Sequence, residues 1–177
     1  MDAPYDINVQ SQIDAGPDLP LARIWRAVDW VLRRHDLAPG TGLSVVIADD
    51  DTIRQLNRQF RAVDAPTDVL SFAADPVPAH AGKEAPYLGD LLLALPTLRR
   101  QAEAEGHALS DELALAVIHG ALHLVGYDHD SPENQARMWA VQDEALRAMG
   151  ISIVVPRFEF PGDKPVSGDV GSARSEE

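Results

Sequence analysis

Residues 110–129 read SDELALAVIHGALHLVGYDH, and the rest of the chain is best understood from this stretch outward. Ser110, Asp111 and Glu112 form a helix-start signal: a capping hydroxyl followed by two acids that complement the positive end of the helix dipole. From Leu113 to Val125 the residues are apolar on almost every face, which predicts a helix running through the core instead of lying on it. Gly126 stops it. The polar residues inside that run are His119 and His123. Four residues apart on one helix, they share a face with Cβ atoms about 5–6 Å apart, within reach of one ion. The glycine exit turns the chain back so that His129 can supply a third ligand.

This is the ligand spacing of H-E-x-x-H-x-x-G-x-x-H. Three neutral nitrogens without a thiolate favour zinc with an open fourth position, although imidazole also accepts nickel, copper or iron. Two core histidines and a third at a surface turn are the structural alternative, and it requires separate hydrogen-bond partners for each buried ring.

Upstream, Ile7 and Val9 suggest a short strand, and a helix follows from Leu21 through Leu32, ended by Pro39 and Gly40. Leu43–Ala48 is a buried strand, and Asp49–Asp51 offer N-caps for a helix to about Phe60. Val69–Phe72 and Leu88–Leu95 are two further strands, separated by a Pro-, Ala- and Gly-rich loop over 74–86. Pro96 opens a helix to Glu105, and Ser131 with Pro132 opens the last one. The expected fold is an α/β (α+β) single compact domain over residues 1–160. It has about four strands in a mixed sheet, packed with helices around a central metal-bearing helix in a zincin-like ligand arrangement. Residues 161–177 are expected to be a disordered acidic tail.

Composition narrows the function. The 177 residues carry 15 Lys plus Arg against 28 Asp plus Glu, a formal charge of −13, and 45% are apolar. No cysteine occurs, so disulfide scaffolds, thiolate metal sites and cysteine nucleophiles are excluded. The start lacks a signal-peptide pattern and no apolar run reaches membrane-spanning length, which predicts a soluble, cytoplasmic protein. Net acidity opposes loose electrostatic attraction to nucleic acid, but acids concentrate in residues 1–20 and after Gly162, leaving room for a local basic surface.

One omission narrows the reaction. Metallopeptidases place a glutamate after the first histidine as general base, and here that position is Gly120. Either another carboxylate substitutes, or the substrate needs less help, as RNA does when its 2′-hydroxyl attacks the adjacent phosphorus. A cation to neutralise developing phosphate charge is available on the helix from Asp50: Arg54, Arg58 and Arg61 form a basic stripe beside Ile53, Leu56 and Phe60. A solvated helix face accounts for Arg54 and Arg58 equally well.

HGALHLVGYDH at 119–129, LNRQFRAVDAPTDVLSF at 56–72 and LGDLLLAL at 88–95 together resemble the YbeY family of bacterial ribosomal-RNA maturation endoribonucleases, over most of residues 5–150. The resemblance implies one zinc on His119, His123 and His129, a catalytic arginine at Arg61, and cleavage of single-stranded RNA. It further implies a role in small-subunit ribosomal RNA 3′-end maturation and ribosome quality control, with ribosomal RNA, the small ribosomal subunit and its proteins, and the Era GTPase as partners. Phe60 stands where the family often has tyrosine, and the acidic tail is not a family feature. Two other classes stay open: a zinc metallopeptidase or amidohydrolase with a base from elsewhere, and a non-catalytic ribosome-assembly factor with a structural metal.

Other residues carry less. Pro66, Thr67 and Asp68 fit a turn into the next strand, and Asp68 and Ser71 could also face the cleft. Asp90 either caps backbone groups or supports a ligand histidine. Asp128 could be a fourth ligand but, with histidines on both sides, better suits a turn; Trp25, Trp30 and Trp139 suit packing, and His35, His80 and His107 lack ligand spacing.

Overall fold

The computed structural model describes residues 4–17, 19–75 and 85–153. Most of the 74–86 loop, His80 and the tail from 161 fall outside these residues.

Four strands form one mixed sheet in the order β1-β2-β4-β3. β1 (Asp6–Ser11) and β4 (Tyr87–Ala94) each pair in parallel with β2 (Gly42–Ala48), and β3 (Val69–Ala73) runs antiparallel to β4 at the edge. The two-residue periodicity of a strand sorts the side chains onto two faces. Val45, Ile47, Val69, Leu91 and Leu93 enter the large core, whereas Ala48, Leu70 and Ala94 meet a smaller cluster with Ile53 on the opposite side. Ile53 belongs to α2 (Asp50–Arg61), so that helix covers the second face. The large core is closed by α1 (Leu21–Arg34), α4 (Leu109–Leu124) and α5 (Pro132–Ala148), with α3 (Leu95–Glu105) beside α4.

The local signals act largely as their chemistry dictates. Asp49 caps α2 by accepting from Thr52 N at 2.8 Å, and Ser131 caps α5 by accepting from Asn134 N at 3.1 Å. Gly106 takes the left-handed conformation after α3, at φ +70°. Ser110 does not cap α4. The helix begins two residues earlier than that cap would place it, at Leu109 after Ala108, and no side chain caps it. Leu109 packs against the large core, which draws the first turn toward the amino end, while Asp111 and Glu112 still face the positive end of the dipole.

Every residue of α4 from Glu112 to His123 is buried. A helix apolar all round must be surrounded, and α4 packs against α1, α3, α5, β3 and β4. Among the described residues, no helix is long and apolar enough to cross a membrane.

Candidate metal centre

His119 and His123 lie on α4, with 0% and 4% of their surface exposed, and His129 is half-buried in the segment leading to α5. One donor atom from each of the three lies within 4.8 Å of the others, so the group could hold a metal ion.

The turn after α4 builds this arrangement. Gly126, at φ +111°, donates its N–H to His123 O at 3.1 Å, and Tyr127 N donates to Leu122 O at 2.9 Å. That pair of bonds is the Schellman closure, which needs a left-handed residue where glycine stands. The turn carries the Tyr127 carbonyl back beneath His123, where it accepts from His123 Nδ1 at 2.9 Å. Asp128 then accepts from His129 N at 2.7 Å, the turn role expected of it.

Hydrogen bonding fixes which nitrogens face inward. A carbonyl only accepts, so His123 Nδ1 carries the proton and its Nε2 keeps the lone pair. His119 Nδ1 lies 3.0 Å from Gln142 Oε1 and is likewise the donor. The two Nε2 atoms face each other at 3.2 Å. Opposed lone pairs at that distance repel unless a cation lies between them. An ion bound tetrahedrally at about 2.0–2.1 Å holds its nitrogen ligands about 3.4 Å apart, which matches this pair. The donor set therefore fits a small divalent ion.

Trp139, expected to be a packing residue, lies against two of the three rings, with centroids 5.8 Å from His119 and 5.7 Å from His129. Trp139 and Gln142, one turn apart on α5, are the site residues that sequence reasoning missed. Neither carries a local signal, because α5 joins the histidines only through tertiary packing.

Gly120 packs tightly on the sheet. A Cβ there would stand 2.8 Å from Leu91 Cδ2, 3.2 Å from Ser71 Oγ and 3.3 Å from Val69 Cγ2. The side-chain direction at this position leads into β3 and β4, and glycine lets α4 lie close to them. Ser71 is consequently buried beneath the helix.

Arg61 closes α2 and is half-buried, with its Nη2 shielded from solvent. The segment after it is pinned by buried Asn57, whose Nδ2 donates to Ala65 O at 2.9 Å, and leads into β3, which packs on α4. Arg54 leaves the basic stripe by pairing with Asp64 through both carboxylate oxygens, at 2.7 and 3.2 Å. Asp90 accepts from Tyr87 Oη at 2.6 Å; neither expectation for it named this partner. His35 is held between Val31 O and Tyr127 Oη, and His107 lies 3.9 Å from Glu112.

Asp68 is 1% exposed; one carboxylate oxygen accepts from Val69 N at 2.9 Å and Thr67 Oγ1 at 3.2 Å, while Oδ2 has no hydrogen-bond partner among the described residues. Burial pushes its pKa from 3.8 up to about 6, against the opposing pull of His119 and the two hydrogen bonds. A carboxyl whose folded pKa is raised costs stability as pH climbs from the unfolded value through the folded one. Asp68→Asn keeps the accepting oxygen and removes that cost. In chelator-treated protein the variant is expected to be more stable than the parent by roughly 1–3 kcal/mol at pH 8, and equal to it below about pH 4. Thermal unfolding across this range checks it; a stability gap independent of pH would refute the assignment.

The fold and the cluster together define a single α/β domain carrying a three-histidine group able to hold a metal ion. Residues 8–150 match the family profile described as Endoribonuclease YbeY. Endoribonuclease YbeY of Roseiflexus castenholzii is 42% identical over 150 residues, covering 83% of this chain and 93% of that protein. The protein of the same description from Moorella thermoacetica is 39% identical over 150 residues, covering 81% and 95%. A Thermotoga maritima protein solved in solution matches with a TM-score of 0.56 at 25% identity, over 81% of this chain and 88% of that one. The chain belongs to the YbeY endoribonuclease family, a family of hydrolases whose substrate is RNA.

Proposed function

We propose that this chain is a zinc-dependent endoribonuclease that cuts single-stranded RNA, with His119, His123 and His129 as the zinc ligands and Arg61 as the catalytic cation. The observation that carries the proposal is the pair of opposed Nε2 atoms 3.2 Å apart, each left as an acceptor because its Nδ1 donates to an oxygen. Zinc bound there would supply Lewis-acid stabilisation of a phosphoryl oxygen or of the leaving alkoxide. Arg61 presents a planar fork suited to two phosphate oxygens and would neutralise the charge that grows on the phosphorus centre. α4 offers no carboxylate at position 120, which suits a substrate whose own 2′-hydroxyl is the nucleophile and disfavours peptide hydrolysis.

The substrate we propose is ribosomal RNA, at the 3′ end of the small-subunit species, with a further role in ribosome quality control in the cytoplasm. A formal charge of −13 makes strong stand-alone affinity for RNA unfavourable. The small ribosomal subunit with its proteins, and the Era GTPase, are therefore the proposed partners that present the strand.

Arg61→Ala tests the cation. With metal content unchanged, cleavage of a ribosomal RNA precursor is expected to fall by about 10²–10³-fold, the usual effect of removing one charge-stabilising donor. Wild-type cleavage by that variant would remove Arg61 from the mechanism. Normal ribosome maturation in cells carrying it, combined with unfolding on chelation, would favour a non-catalytic assembly factor with a structural metal.

A further inference from the structure

We infer that Gln142 is a positioning residue of the metal centre: a neutral acceptor on α5 that holds His119 in its Nδ1–H tautomer and so reserves His119 Nε2 for the ion. The inference rests on the three-histidine metal reading and deepens it.

Gln142 is 0% exposed, and its Oε1 lies 3.0 Å from His119 Nδ1. Its Nε2 is buried with no hydrogen-bond partner among the described residues. An amide enclosed in a core with half its hydrogen-bonding capacity unused is expensive, and the bond to His119 is what offsets that cost. The orientation also matters. Rotating the amide would aim its NH2 at His119 Nδ1 and force the ring proton onto Nε2. That proton would then occupy the 3.2 Å gap shared with His123 Nε2, where the ion must lie.

The chemical type of the acceptor adds a second effect. Ligating histidines commonly donate to a carboxylate, which makes the imidazole more basic and lowers the net charge of the site. Gln142 orients the ring without a charge. The centre then keeps the full positive charge of its ion toward an incoming phosphate. His123 is treated the same way, by the uncharged carbonyl of Tyr127. Trp139, one turn before Gln142, packs on His119 and His129, so one face of α5 sets both ring proton and ring position.

The experiment compares the full chain with Gln142→Leu and Gln142→Glu by two measurements independent of activity. The first is zinc affinity by competition with a chromophoric chelator. The second is the tautomer of His119 in metal-free protein at pH 8, read from 15N chemical shifts, with His123 as the internal control of a folded site. Gln142→Leu is expected to bind zinc about 10–100-fold more weakly and to show mixed His119 tautomers with His123 unchanged. Gln142→Glu is expected to restore both the tautomer and at least wild-type affinity. Wild-type affinity and an unmixed His119 tautomer in Gln142→Leu would overturn the inference, as would an Nε2–H His119 in the parent protein, or a folded Gln142→Glu that fails to rescue. A parent protein that binds no zinc would instead overturn the metal reading itself.

Discussion

His123→Ala is expected to lose stoichiometric metal and, with it, RNA cleavage. The ring would supply one of three ligands from a position that is 4% exposed, and its other nitrogen is tied to the Tyr127 carbonyl. Apparent binding free energies of about 10–16 kcal/mol at four-ligand zinc sites assign about 2.5–4 kcal/mol to each ligand, so affinity should fall by roughly 10²–10³-fold. The loss extends beyond the ion. Without the ring, the Tyr127 carbonyl loses its partner and the turn that presents His129 loosens. Metal content after dialysis against a weak chelator, with circular dichroism to confirm the helices, is the measurement; a variant still holding about one ion per chain would remove His123 from the ligand set.

Installing the peptidase base should fail for a steric reason. In Gly120→Glu the first side-chain atom would already stand 2.8 Å from Leu91 Cδ2, with Ser71 Oγ and Val69 Cγ2 at 3.2 and 3.3 Å. The remaining atoms would carry a charge into the interface between α4 and the sheet, where the neighbours Leu91, Ser71 and Val69 offer no cation to pair with it. A loss of at least about 4 kcal/mol is expected, from overpacking together with an unpaired buried charge, which lowers the melting temperature by roughly 10 °C or more. Gly120→Ala separates the two causes. It adds the crowding atom without the charge and gains about 1 kcal/mol of helix propensity, so its net cost should stay under about 2 kcal/mol. Thermal unfolding of both variants decides the matter, and a Gly120→Glu protein with the parent melting temperature would show that the site has room for a base.

Much of the fold was legible because it rests on local chemistry. The run Leu113–Val125 has no polar face to give to solvent, and its residues from Leu113 to His123 are buried in α4. Asp49, Gly106, Ser131 and Gly126 mark element ends through bonds they make within a few residues. Pairing was not legible. Val69–Phe72 and Leu88–Leu95 both read as apolar strands, but nothing in either indicates that β4 lies between β2 and β3, or that β3 alone is antiparallel. The same limit applies at the metal centre. His119, His123 and His129 announce themselves by spacing, whereas Gln142 is 23 residues from His119 and meets it only when α5 docks. Trp139 was read as packing, which it is, but the surfaces it packs on are the rings of His119 and His129. Arg54 and Arg58 were indistinguishable by charge until the loop after α2 brought Asp64 to Arg54.

The glycine turn after α4 makes the separation of the second and third ligands a property of the main chain. Its bonds run from backbone to backbone, and the carbonyl that orients His123 belongs to the same turn. Exchanging side chains at 124 or 125 leaves that spacing nearly untouched. Discrimination among ions of similar ligand preference is therefore governed by the stiffness of a short peptide loop, and an ion demanding a wider bite must work against the end of a buried helix.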